Sequence, residues 1–363
     1  MTSPKTLIHI LTANRWGGVE RYALDICKHF IDSGWNVMAI TRDAKVVDTP
    51  FEKAGVNLLH APFGGMLDFQ SIRFLTKVLK KNEGEVIIHV HGFKNAFTAL
   101  AARRLSGKKS TKIILTRHKV KPALDSRLMR RIYRNLDAMI FVSRVARDRF
   151  MSTWYARELP FDFRKIHIIH NSINTPVIEP IPPHDKGPIT AMFHGPILPG
   201  KGLETLIDAL SMVKGKRIRL RIVGGGNPDY ADKLRRHAIN RGVMDLIDWH
   251  RHSETPMELI KEVDFGVLPS HAEEAFGLAN IEYMACGRPQ ICSSNGAQPE
   301  YITDGKEGIL IPPAGTPFLA EAMMKLAADE SLRKEMGEKA FQKFSTTLSW
   351  PHFISRLTSI YSA

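Results

Sequence analysis

FHGPILPGKGLETLIDAL, residues 193–210, is the stretch on which the fold turns. Its core, Gly195 to Gly202, reads G-x-x-x-x-G-K-G, one residue away from the phosphate-cradling pattern G-x-x-x-x-G-K-[ST]. In that pattern the closing hydroxyl holds magnesium and a run of backbone N–H groups wraps the phosphate. Gly202 has no hydroxyl, and Pro196 and Pro199 remove two of the donors. An ATPase loop therefore fits poorly, and a plain glycine turn between strand and helix is a simpler alternative. A looser phosphate site also fits. A helix beginning near Gly202 offers free N–H groups and about half a positive charge at its start, with Lys201 as the adjacent cation.

The flanking sequence places this loop in an α/β frame. Short β-branched runs alternate with helical patterns from the beginning: TLIHIL, then GGVERYALDICKHFIDSG ending at Gly34, then WNVMAIT, EVIIHVHG, KIILTRH, LDAMIFVS and KIHIIHN. Runs of this kind predict a parallel sheet covered on both faces. A second series follows in ITAMFHG, RLRIVGGG, LIDWH, VDFGVLPS, RPQICSS and EGILIP. Between the two lies NTPVIEPIPPHDKGP, with five prolines, which cannot continue a helix or a central strand. The expectation is two doubly wound Rossmann-like domains, residues 1–175 and 189–346, joined by a linker over 176–188. Ligands of such sheets bind at the carboxyl ends of the strands, so the default site is a cleft between the halves.

Bulk properties agree with a soluble protein of two domains. The chain has 363 residues, 44% hydrophobic and 24% charged. The net charge of +14 favours anionic partners: a nucleotide, a phosphorylated substrate, nucleic acid or a membrane surface. Three cysteines with no C-x-x-C pair give neither a disulfide framework nor a zinc site, which fits a reducing cytoplasm. The apolar run Leu7–Leu11 is too short for a signal peptide, and no stretch approaches ~18 consecutive apolar residues.

A second motif sharpens the site. PSHAEEAFGLANIEYMACGRPQICSS carries Glu274 and Glu282 eight positions apart. Phe276, Gly277 and Leu278 intervene, which puts Glu274 in a loop and Glu282 on the following helix. Two carboxylates around one polar pocket suit sugar hydroxyls, because each oxygen accepts hydrogen bonds. Solvated surface acids are the plain alternative, but the small and apolar neighbours Met284, Ala285, Cys286 and Gly287 make poor ground for idle charge.

Taken together, these residues resemble the GT-B retaining glycosyltransferases of family four, the group 1 glycosyl transferases, over nearly the whole chain. The family's early glycine loop is matched by Gly17, Gly18 and Glu20, its G-R-L-x-x-x-K-G element by GPILPGKG, its glycine turn by Gly224, Gly225 and Gly226, and its E-x7-E signature by Glu274 and Glu282. The resemblance implies that Glu274 contacts the donor sugar, Glu282 the nucleotide ribose and Lys201 the diphosphate. Gly17, Gly18, Gly195, Gly224, Phe276, Gly277 and Leu278 then complete the donor site. It also implies a final helix, 347–363, that crosses back to the first domain.

Three positions depart from the family pattern. Pro196 stands where the family has a diphosphate-binding arginine, leaving Arg15, Arg117 and Arg144 as candidates for the missing cation. Ser172 and Asn174 replace glycine and aspartate, and Ala275 replaces a glycine. His118 aligns with the family histidine at the donor sugar, where a proton state adjustable near neutral pH is useful. Trp16, Glu20, His91, Lys119 and Lys121 fall on the acceptor side. His89 reads as a satisfied structural histidine.

The chemistry expected is transfer of a sugar from a nucleotide-sugar to a glycan or glycolipid acceptor. Lys201 and helix dipoles would stabilise the leaving diphosphate, with no metal and no cofactor, since no D-x-D occurs. Glycoside hydrolysis, the other chemistry of paired carboxylates, does not need Lys201. Residues 103–134 hold twelve lysines and arginines against one acid, Asp125. That cluster suits an anionic membrane or a phosphorylated glycolipid. A solvated helix face would explain it equally, and no nucleic-acid motif accompanies it. Bacterial lipopolysaccharide or surface-polysaccharide synthesis is the expected setting, at the cytoplasmic face. A sugar-nucleotide-binding protein without catalysis is the remaining alternative.

Overall fold

Buried β-branched runs flanked by amphipathic helices leave the backbone one economical arrangement: parallel strands with helices on both faces. The computed structural model of the chain describes residues 5–65, 67–157, 162–175, 187–253 and 255–363. In it the chain forms two units, one of residues 1–174 with 353–363 and the other of residues 175–352. The Pro-rich stretch expected as a linker falls, over 176–186, outside the described residues.

The first unit holds β1 (Thr6–Ile10), β2 (Asn36–Thr41), β3 (Asn57–His60), β4 (Val86–Val90), β5 (Lys112–Arg117), β6 (Ala138–Phe141) and β7 (Ile166–Ile168). They lie in the order β3-β2-β1-β4-β5-β6-β7, every pairing parallel. The second unit holds β8 (Ile189–His194), β9 (Ile218–Val223), β10 (Ile247–His250), β11 (Phe265–Leu268), β12 (Gln290–Ser293) and β13 (Ile309–Ile311), in the order β10-β9-β8-β11-β12-β13, again parallel. Each sheet therefore has one point where the strand order reverses. It lies between β1 and β4 in the first unit and between β8 and β11 in the second, and ligands of this architecture enter at that crevice.

The central strands β1 and β4 are buried along their whole length. The strand that the sequence did not announce is β3, an edge strand with exposed ends and no β-branched residue. The helix Gly18–Asp32 follows β1 as the pattern predicts, and Gly34 leaves it in the left-handed region at φ +81°.

The final helix, Trp350–Ser362, serves the first unit from Phe353 onward. Phe353 meets Tyr22 edge-on, Arg356 donates to the Ile168 carbonyl at 2.6 Å, and Lys112 donates to the Tyr361 carbonyl at 3.1 Å. The Tyr361 hydroxyl lies 2.6 Å from Nδ1 of the buried His89, whose Nε2 is 2.6 Å from Thr116 Oγ1. The changeover comes at 352/353 rather than at 346/347. The π-helical turn Phe344–Leu348 buries Phe344 and Leu348 and packs on the helices Leu278–Ala285 and Glu330–Lys343 of the second unit.

Tyr361→Phe would strand the buried Nδ1 of His89. We expect this to cost about 1–3 kcal/mol of unfolding free energy, read by urea denaturation of the wild-type and variant chains. A change within about 0.3 kcal/mol would mean that the anchor is packing alone.

Candidate active site

In the second unit the site is made of two loops, one after each strand at the reversal. The chain leaving β8 runs beside the chain leaving β9. Gly195 donates to the Val223 carbonyl at 3.0 Å and Ile197 to the Gly225 carbonyl at 2.9 Å. A Cβ on Gly224 would stand 2.0 Å from the Gly195 carbonyl oxygen, so the glycine turn is needed for backbone contact between the loops. The same chain then turns at Gly200, whose carbonyl accepts from the N–H groups of His271 at 2.8 Å and Ala272 at 3.1 Å. Gly202 takes φ +75° and caps the helix Leu203–Met212. A Cβ there would lie 1.8 Å from the Pro269 carbonyl oxygen. No hydroxyl-bearing residue fits, so this position cannot supply the magnesium ligand of an ATPase loop.

These contacts bring Lys201 to Glu274. Lys201 Nζ lies 2.5 Å from Glu274 Oε1, which also accepts from the buried Ser270 hydroxyl at 2.7 Å. The pair is partly open to solvent, with side-chain exposures of 28% and 20%. Asn295, on the loop after β12, donates to the His271 carbonyl at 2.7 Å, and Ala297 N–H donates to the Glu274 carbonyl at 3.0 Å. Glu274 therefore sits in a loop held from both sides. Phe276 is buried against the Tyr301 ring, and the Tyr301 hydroxyl donates to the Phe276 carbonyl. Gly277, at φ +90°, caps the helix Leu278–Ala285 that begins at Leu278 and carries Glu282.

Glu282 is 3% exposed and lies 2.5 Å from Nε2 of His194, the last residue of β8. The Tyr283 hydroxyl donates to the Met192 carbonyl at 2.7 Å, so its lone pairs are left for His194 Nδ1, 3.2 Å away. One carboxylate of the pair is thus half-open beside a lysine, and the other is fixed to the first strand of its sheet. His194, Ser270 and Asn295 were not singled out from sequence. The signal for His194 was its place immediately before Gly195 at a strand end.

The first unit carries a row of histidines at its own reversal point. Ile10 and Val90 are paired in register, so His9 and His91 lie at the ends of adjacent strands, with His118 just after β5. His9 Nδ1 is 3.2 Å from His91 Nε2, and His91 Nδ1 is 3.1 Å from His118 Nε2. Each link needs one N–H and one bare nitrogen, so the protons run head to tail along three neutral rings. Burial holds His9 at about 3. Burial, with Arg117 next to it, holds His118 at about 3. His91 is lowered well below the usual value by burial and then by its histidine neighbours. The expectation that His118 titrates near neutral pH is therefore corrected: it acts as a neutral hydrogen-bonding group. The Tyr22 ring meets His89, His91 and His118 edge-on.

The other first-unit residues divide in role. Gly17 and Gly18 begin the helix after β1, and Glu20 is buried in its first turn, where the Gly17 N–H binds its carboxylate. Burial raises the Glu20 carboxyl above its usual value, against those N–H bonds. Glu20 thus closes a helix start. Trp16 is half-buried with its ring edge-on to Phe51. Arg117 lies over the rings of Phe93 and Phe150, at 4.7 and 5.4 Å. Arg15 and Arg144 are exposed. Lys119, Lys121, Arg127, Arg131 and Arg134 are exposed, as is Leu124 at 62%, while Arg130 pairs with Asp125 at 2.7 Å and Arg103 with Asp137 at 2.6 Å. Among the described residues no helix is long and apolar enough to cross a membrane.

Two family models match this chain in tandem: Glycosyltransferase Family 4 over residues 16–176 and Glycosyl transferases group 1 over residues 174–343. The chain belongs to this glycosyltransferase family. An uncharacterised glycosyltransferase of Methanocaldococcus jannaschii is 24% identical over 360 residues, covering 95% of this chain and 94% of its own. The Anabaena protein HepE, solved with UDP, superposes with a TM-score of 0.81 at 18% identity, over 99% of both chains. The lipopolysaccharide outer core galactosyltransferase WaaB superposes at 0.76 and 18% identity, over 98% of both. At these identities the two structures establish the GT-B fold, which this family member shares.

Two outcomes follow for this family member. Gly202→Ser should lower the yield or melting temperature of folded protein and give no magnesium-dependent ATP hydrolysis; a stable variant would contradict the Pro269 contact. Stability should also fall with acid. Histidines held near 3 in the fold take up protons on unfolding below about 6.5, so their contribution is full above that value and shrinks toward pH 3. The 0%-exposed His9 alone removes up to about 1.4 kcal/mol per pH unit in that window. Urea midpoints at pH 7 and pH 5 check this, and unchanged midpoints would refute the neutral row.

Proposed function

We propose that this chain is a metal-independent, retaining glycosyltransferase that moves a sugar from a nucleotide-sugar donor to a glycan or glycolipid acceptor. The observation that carries the reading is the Lys201–Glu274–Ser270 cluster, held by backbone contacts at the strand-order reversal of the second unit. Breaking a sugar–phosphate bond builds negative charge on the departing diphosphate, and a fixed ammonium lowers the energy of that charge. Lys201 has the chemistry for it, supported by the start of the helix Leu203–Met212. Glu274, freed from Lys201 when a diphosphate takes the ammonium, accepts hydrogen bonds from sugar hydroxyls. Glu282, fixed by His194, is the candidate for the ribose. His118, neutral and ordered by His91, serves as a hydrogen-bond partner for a sugar hydroxyl.

Retention and metal independence come from the family resemblance and from the absence of D-x-D in the sequence. A UDP-type donor is supported by the Anabaena relative solved with UDP. The exposed cations Lys119, Lys121, Arg127, Arg131 and Arg134 support an anionic acceptor or membrane surface on the first unit. The name of WaaB supports lipopolysaccharide or surface-polysaccharide synthesis at the cytoplasmic face of a membrane.

The test is a melting panel without metal, using UDP-, GDP-, ADP- and CMP-sugars, with ATP plus magnesium as control. A ligand at 100 times its dissociation constant adds about 2.7 kcal/mol to the folded state. Stabilisation by one sugar nucleotide and its diphosphate is expected. Lys201→Ala should weaken the diphosphate at least tenfold, about 1.4 kcal/mol, and leave the nucleoside unchanged. Glu274→Gln should lower turnover by about two orders of magnitude with the fold intact. Stabilisation by ATP–magnesium alone would overturn the reading. Donor binding with no turnover on any acceptor would instead favour a silent sugar-nucleotide-binding protein, the outcome that Pro196 makes worth testing.

A further inference from the structure

At the carboxyl edge of the first sheet, away from the histidine row, three metal-ligating side chains converge. Asp43 follows β2, Asp48 lies in the first turns of the helix Lys45–Lys53, and His60 ends β3. One carboxylate oxygen from each aspartate and a ring nitrogen of His60 all lie within 4.8 Å of one another. The separation suits three ligands around one ion, since bonds of about 2.0–2.2 Å place ligand atoms roughly 3–4 Å apart.

Asp48 gives the cluster its direction. It is 4% exposed, and its Oδ1 has no hydrogen-bond partner among the described residues. Its Oδ2 is 3.8 Å from His60 Nδ1, too far for a hydrogen bond. A buried carboxylate oxygen without a donor is costly, and a cation removes that cost. The neighbouring arginine does not supply one, because Arg42 spends its guanidinium on the backbone carbonyls of Thr12, Pro62 and Phe63. Thr41 Oγ1 stands 3.1 Å from the same Nδ1 of His60, so a hydroxyl as well as the Asp48 carboxylate faces that nitrogen.

We propose that Asp43, Asp48 and His60 form a divalent-cation site of the first unit. The donor set, two carboxylates and one imidazole, is the mixed oxygen–nitrogen kind that takes Zn²⁺ or Mn²⁺. Three protein ligands leave at least one position for water. The ion ties the end of β2, the helix Lys45–Lys53 and the end of β3 together. Phe51 on that helix packs against Trp16, so the ion also steadies the loop that leads into Gly17. The site owes nothing to the donor chemistry proposed above and stands or falls separately from it.

The probes are Zn²⁺ and Mn²⁺ alone, titrated into the chelator-treated full chain by calorimetry, with Mn²⁺ also followed by electron paramagnetic resonance. Asp43→Asn and His60→Gln are the test variants. Asp43 is exposed at φ +60°, a conformation that asparagine also accepts, so the fold should survive. The wild type should bind one equivalent that raises its melting temperature. Both variants should bind that equivalent at least tenfold more weakly, while their circular dichroism and their melting in chelator match the wild type. No binding by the wild type, or equal binding by wild type and both variants, would overturn the site.

Discussion

The closest constraint in the second unit is the contact between Gly202 and the Pro269 carbonyl, where a single added carbon would stand at 1.8 Å. That contact presses the loop after β8 against the loop after β11. Two N–H bonds onto the Gly200 carbonyl continue the seam, and they bring a lysine and a glutamate that are 73 residues apart to 2.5 Å. The site is therefore a product of backbone packing first and side-chain chemistry second. It also explains why the stretch imitates an ATPase loop without being one. The helix start and the lysine are retained, but the position that would carry the magnesium-binding hydroxyl is taken up by the neighbouring loop.

The first unit solves a different problem. Three histidines, His89, His91 and His118, meet the Tyr22 ring edge-on, and His9 and His89 are fully buried beside them. Desolvation keeps the row neutral, and the hydrogen bonds between rings couple the tautomers of His9, His91 and His118 to one another. A protonated ring in such a row would lack solvent and, at His118, would also face the Arg117 charge. The arrangement holds the His118 ring through His91, at the cost of acid stability. The final helix takes part in the same structure, since Tyr361 and Thr116 together saturate His89 and leave His91 as the link to His118.

Much of this was legible in the sequence. Twelve of the strands were announced by β-branched runs, because buried parallel strands leave little choice of composition. The edge strand Asn57–His60 was silent, since it is half-exposed and built of Asn, Leu, Leu and His. Lys201 was singled out by its glycine loop and Glu274 by its spacing to Glu282, but their pairing was not legible. His194 was not singled out, because a histidine at a strand end has the same letter whether it is idle or clamps a buried glutamate. The titration of His118 was misjudged for a related reason: an imidazole's proton affinity depends on the rings and solvent around it, and those come from strands far apart in sequence. Arg117, a candidate cation by position, lies over two aromatic faces that sequence distance hides.

The Lys201–Glu274 pair also bears on how the two side chains hold each other in place. A lysine aimed at a future diphosphate, with no counter-charge, would be a standing electrostatic cost and would be free to wander. In the proposed reaction, pairing it with Glu274 would hold both side chains in place, and the partial exposure would keep the attraction modest enough for a ligand to displace. On that proposal a diphosphate, with its greater charge, would compete for the ammonium and release the carboxylate to sugar hydroxyls. The same coupling means that the two residues do not act independently. Removing the lysine changes the environment of Glu274 before any donor binds, so their effects on binding and turnover belong to one unit and will not sum as separate contributions.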